Sequence, residues 1–192
     1  MSSPFIRNIL KLLSAIDLIV ISFVMLIAFF LQFYLHELPC PLCLLQRLGL
    51  IAIGFGFLLN LHYRPRPSHY MLSLLAAVFT SFIALRQICL HIVPGSGSYG
   101  DALFGMHLYT WVFIACVFAI IYISVTLSFR SQYTHLLSSE HIEEPKSRWQ
   151  KTLTHLTFFM FFGIALANVI STFMECGTQE CPDNPISYVI KF

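Results

Sequence analysis

The chain has 192 residues, of which 57% are hydrophobic and 10% charged, against roughly 25% charged residues in ordinary globular domains. That balance excludes a soluble domain of this length. A net charge of +2 with no basic tract gives no reason to expect a nucleic-acid partner.

The reading is a single all-α membrane domain over residues 1–192, without internal repeats or low-complexity tracts. Five apolar stretches lie at roughly 14–35, 44–61, 70–93, 108–129 and 153–174, each long enough to cross a bilayer as a helix, and a tail follows from about residue 175. Arg7 and Lys11 precede the first stretch, which exceeds a signal-peptide core and lacks a small-residue cleavage site, so it is expected to stay as an anchor. The first connection carries Cys40-Pro41-Leu42-Cys43, and Arg47 follows inside the second helix. Arg64-Pro65-Arg66-Pro67 reads as a turn that stops the second helix and delays the third. The third helix holds Arg86 and Cys89, the fourth Cys116. A polar connector over 131–152, with Ser138, Ser139, Glu140, Glu143 and Glu144, leads to the fifth helix, and Cys176 and Cys181 lie just beyond it.

Orientation follows from the basic residues. Arg7, Lys11, Arg64, Arg66, Arg130, Lys146, Arg148 and Lys151 fall on one side of a five-crossing chain, and Lys191 on the other. The N-terminus is therefore expected in the cytoplasm and the C-terminus outside.

This topology sorts the six cysteines. Cys40, Cys43, Cys176 and Cys181 share the outer side, where disulfides persist; Cys89 and Cys116 are expected to be small buried apolar residues. In the first pair two residues separate the sulfurs, and Pro41 fixes φ at one of them. Cys43 is expected to open the second helix, where unpaired N–H groups and the positive dipole end favour thiolate. Arg47, four residues on, shares its face. A guanidinium inside the membrane boundary is a functional hypothesis by default; the alternative is snorkelling to the interface. The functional reading is a cation that stabilises a Cys43 thiolate and the charge developing on a bound electron acceptor. Arg86 carries the same two readings in equal measure. The second pair closes a small loop through Gly177 and is either an exchange pair or a staple of the tail. No histidine spacing suggests a metal site.

Three segments resemble the DsbB family of membrane disulfide-forming proteins. They are Leu38-Pro39-Cys40-Pro41-Leu42-Cys43-Leu44-Leu45-Gln46-Arg47, the stretch Leu85-Arg86-Gln87, and Phe104-Gly105-Met106-His107-Leu108-Tyr109-Thr110-Trp111. The resemblance implies a four-helix bundle in a bacterial inner membrane, with a quinone (ubiquinone or menaquinone) beside Cys43 and Arg47. A second cysteine pair would pass oxidising equivalents to a soluble periplasmic, DsbA-like thioredoxin-fold protein. A dithiol oxidant near about −120 mV is regenerated only by something more oxidising, such as the membrane quinone pool. This chain departs from that pattern, because residues 94–107, where the family usually carries its second pair, contain no cysteine. The candidate replacement is Cys176 and Cys181, carried by an additional fifth helix. Two rival readings stand beside this one: a thiol oxidoreductase for another substrate or the reverse direction, and a non-enzymatic protein whose two cysteine pairs together hold a structural zinc ion. Haem attachment is disfavoured, since Leu44 rather than His follows the motif.

Overall fold

The computed structural model describes residues 3–63, 65–93, 100, 102–128, 148–182, 185 and 187–190. Arg64, Arg130, Lys146 and Lys191, which contribute to the orientation, lie outside the described residues, as does most of the 131–152 connector.

Five helices form: α1 (Ser3–Tyr34), α2 (Pro41–His62), α3 (Pro67–Leu90), α4 (Leu108–Ser128) and α5 (Arg148–Cys176). All five are long and apolar enough to cross a membrane, and the protein is a multi-pass membrane protein. Several boundaries differ from the sequence reading. Helices α2 and α3 each begin three residues early because Pro41 and Pro67 sit in their first turns, where a missing N–H costs nothing. Helix α5 runs on to Cys176 and stops where Gly177 takes φ +62 and donates its N–H to the Phe173 carbonyl at 2.8 Å.

Between α3 and α4 a short antiparallel hairpin pairs β1 (Ala102–Leu103) with β2 (Met106–His107), in the register Ala102↔His107 and Leu103↔Met106. Phe104 and Gly105, both at positive φ, make its turn. The pair adds four strand residues to an otherwise helical chain.

Helix α2 is the hub, packing on α1, α3 and α5. Small residues let it approach its neighbours: a side chain at Gly49 would meet Thr80, at Gly54 Phe161 of α5, and at Gly56 Ser73 and the His69 carbonyl. Ser73 closes one of these contacts by donating to the Ile53 carbonyl at 2.8 Å. Helix α5 buries Thr157, Phe161, Ile164, Asn168, Ser171 and Glu175, and α1 buries Ser14, Leu18, Ser22, Met25, Phe29 and Gln32. Both sets recur at three- and four-residue spacing, a helix–helix seam. On the outer faces Val20, Phe23, Phe82, Phe118 and Phe162 are exposed, as side chains that meet lipid must be.

Candidate functional site

Cys40 is the N-cap of α2: its backbone is extended (φ −70, ψ 163) and its Sγ accepts the Cys43 N–H at 3.2 Å. Cys43 is therefore the third residue of the helix rather than its first, still within the turn where the dipole end is positive. The two sulfurs share one amide. Gln87 of α3 donates through Nε2 to Cys40 Sγ at 3.3 Å and to Cys43 Sγ at 3.5 Å. Gln46 Nε2 donates to Gln87 Oε1 at 2.7 Å, which turns the Gln87 amino group toward the sulfurs. The Cys40 thiol is held well above the ordinary thiol range, first by its hydrogen bond with Cys43 and then by burial. Within the pair Cys40 is the thiol that holds its proton.

Arg47 lies one turn further along α2 at 8% exposure. It turns inward rather than snorkelling: Nη1 donates to Gln32 Oε1 at 2.6 Å and Nη2 to the Ala28 carbonyl at 3.1 Å, with the Phe29 ring centroid 5.4 Å from Cζ. Gln32 in turn donates to Ser171 Oγ at 2.7 Å and to the Tyr188 hydroxyl at 3.1 Å. One buried network thus runs from α2 through α1 to α5 and the tail.

Cys43 and Arg47 open onto a single cavity of about 220 Å³. Its walls include Val24, Ala28 and Leu31 of α1, Leu50 of α2, Leu103 of the hairpin and Tyr109, Trp111 and Val112 of α4. Trp111 donates its indole N–H to the Leu103 carbonyl at 3.0 Å and so ties the hairpin to α4. A mostly apolar cavity with few convergent polar groups suits a flat, weakly polar ring. The guanidinium retains N–H groups beyond the two bonds above, which can meet an oxygen on such a ring. The donor set fits a quinone headgroup.

The structure does not bring every candidate to this cavity. Arg86 is exposed on α3 and is not among the walls. Cys116 is buried as expected, but Cys89 is exposed, because position 89 falls on the outward face of α3 two residues after the inward Gln87. Cys176 and Cys181 are joined in a disulfide with Cα atoms 4.6 Å apart, which commits the tail thiols that a zinc site built from both cysteine pairs would need. Sequence reasoning assigned no role to Gln32, Gln46, Gln87 or Glu175. The available signal was polarity: each is a polar side chain buried within an apolar helix.

The family model for disulfide bond formation protein DsbB matches residues 11–170. The chain belongs to the DsbB family. Two curated relatives in the family, both called disulfide bond formation protein B, show what the match covers. The one from Chromobacterium violaceum is 39% identical over 71 residues, which is 35% of this chain and 43% of the relative. The one from Xanthomonas euvesicatoria pv. vesicatoria is 35% identical over 72 residues, or 35% of this chain and 42% of the relative. The chain thus spans less than half the length of these relatives. No solved structure matches. The matched span of the DsbB model takes in most of α1, all of α2, α3 and α4 and most of α5, and stops short of the tail disulfide.

Proposed function

We propose that this DsbB-family chain is a quinone-dependent thiol–disulfide oxidoreductase. It would reoxidise a periplasmic DsbA-like dithiol oxidase and pass the electrons to the quinone pool of a bacterial inner membrane. The observation that carries the reading is the pairing of Cys43 and Arg47 on the wall of one apolar cavity. Neither a structural cysteine pair nor a snorkelling arginine accounts for it.

A bound quinone would supply a two-electron sink at that wall. The chain's own groups do the rest. Arg47 offers positive charge to the Cys43 thiolate and to the acceptor oxygen. Its bonds to Gln32 and Ala28 hold it there in advance, so no reorganisation is needed during the reaction. Cys40 closes the Cys40–Cys43 disulfide once Cys43 has reacted, and Gln87 keeps the two sulfurs side by side. Leu103, Trp111 and Val112 would give the acceptor an apolar wall. Cys176 and Cys181 are the proposed exchange pair for the soluble partner, with Gly177 as the pivot. The acceptor-site charge belongs to Arg47 in this reading; Arg86, exposed near the outer end of α3, takes the interfacial alternative.

The test is thiol-dependent quinone reduction by purified Cys43→Ser protein. Activity should vanish while membrane insertion is normal; near-normal quinone reduction would sink the reading.

A further inference from the structure

Polar side chains in the α1–α5 seam gather toward the end that carries the cysteines. Asn168, Ser171 and Glu175 follow one another on α5 at 4%, 3% and 1% exposure. Ser171 is engaged by Gln32. Glu175, one turn further, has no hydrogen-bond partner for its Oε2 among the described residues. A buried carboxyl left this way is costly, and in a membrane-embedded helix it marks a working group.

Its surroundings indicate the work. Arg47 donates to Gln32, which donates to Ser171 one turn before Glu175, so the network brings the guanidinium, with Cys43 one turn from it on α2, to the Glu175 end of α5. Arg47 is also within reach of Cys40 and of Tyr188 of the tail, while α1 presents Gln32, which does not titrate. Arginine stays charged in proteins. The site therefore holds one fixed cation and two groups, Cys43 and Glu175, that can each carry the balancing charge.

We propose that Glu175 is the proton-holding group of this site: its carboxyl and the Cys43 sulfur share one negative charge opposite Arg47. In the reduced site the proton from Cys43 rests on Glu175, Cys43 is a thiolate and Cys40 a thiol. Oxidation forms the Cys40–Cys43 bond and releases two electrons to the acceptor. Two protons accompany them, one from Cys40 and one from Glu175, and Glu175 is left as the carboxylate facing Arg47. An incoming dithiol returns two electrons and two protons, one to Cys40 and one to Glu175. The identity of the acceptor rests on the proposed quinone-linked function; the charge sharing itself does not.

Glu175 acts through Arg47 and Cys43 and is a positioning residue, so its test uses a readout that packing alone would not move. Full-length, quinone-free protein carrying Cys40→Ser keeps a single Cys43 sulfur while the tail disulfide stays closed. At neutral pH the infrared carboxylic-acid C=O band of Glu175 is compared with Cys43 present and with Cys43→Ser. The band should be present with Cys43, lost in Cys43→Ser, lost in Glu175→Gln, and retained but shifted in Glu175→Asp. A band of equal strength with and without Cys43 would overturn the proposal, and that comparison leaves Glu175 itself untouched. In the otherwise intact protein Glu175→Gln should lower kcat for quinone reduction at least about tenfold with KM unchanged. If the Cys43-dependent band is present but the intact protein reduces no quinone, the proposed function falls and the charge sharing stands.

Discussion

Gln87→Leu isolates the amide that serves both sulfurs. Leucine roughly preserves the volume on α3 and removes the N–H that stands 3.3 Å from Cys40 Sγ and 3.5 Å from Cys43 Sγ. A hydrogen bond to a charged partner contributes about 1.5–3 kcal/mol. Because the amino group is shared between two sulfurs, the lower end applies, and about 1.4 kcal/mol corresponds to roughly a tenfold shift of the thiolate–thiol equilibrium toward the thiol. The ultraviolet thiolate absorbance of reduced protein at neutral pH should fall, by at most that factor. Alkylation of Cys43 should slow less. A less stabilised thiolate is a better nucleophile, and with a Brønsted slope of about 0.4–0.5 the gain recovers roughly threefold of the tenfold loss. The net slowing is then at most about threefold to fourfold. Removing Gln87 also leaves Gln46 Nε2 without its 2.7 Å acceptor, so Gln46→Leu alone serves as the control for that secondary loss. If Gln87→Leu leaves both the thiolate absorbance and the alkylation rate at parental values, the amide does not stabilise the sulfur and this account of the site is wrong.

Two further outcomes follow from the same geometry. Arg47→Ala should reduce kcat/KM for quinone at least about tenfold, or about 1.4 kcal/mol. Arg47→Lys should recover part of it, since an ammonium cannot reproduce the planar fork that reaches Gln32 and Ala28 together; steady-state kinetics showing no change in Arg47→Ala would refute the assignment. Replacing both Cys176 and Cys181 with Ser should spare quinone reduction by a small dithiol and stop oxidation of a protein dithiol. Serine substitution removes only the two sulfurs and retains Glu175 and Tyr188 in the chain. Undiminished oxidation of the protein substrate would make the tail disulfide a staple.

Composition and local pattern were enough to establish the class of the protein and to single out the segment proposed to carry its chemistry. Stretches of apolar residues matched to a bilayer thickness can hardly be anything but spanning helices, since lipid offers no partner for an unpaired backbone group. The CxxC and the arginine four residues on are a local pattern, fixed by helical spacing within one segment. Helix boundaries were legible to within about three residues at the starts of α2 and α3 and at the end of α5, and missed most at the start of α1, which runs from Ser3 rather than from residue 14. What lay beyond the sequence was the set of partners brought in from other helices. Arg86 and Gln87 are adjacent, yet one points outward and the other meets both sulfurs, because successive positions on a helix are turned about 100° apart and the packing of α3 on α2 chooses the face. Snorkelling of Arg47 was a fair alternative until Gln32 and Ala28 of α1 supplied its acceptors. Glu175 read as part of the chain end after the fifth helix until α5 docked against α1 and buried it. Long-range contacts of this kind depend on which faces of five helices meet. Tertiary packing decides that, and no single segment encodes it.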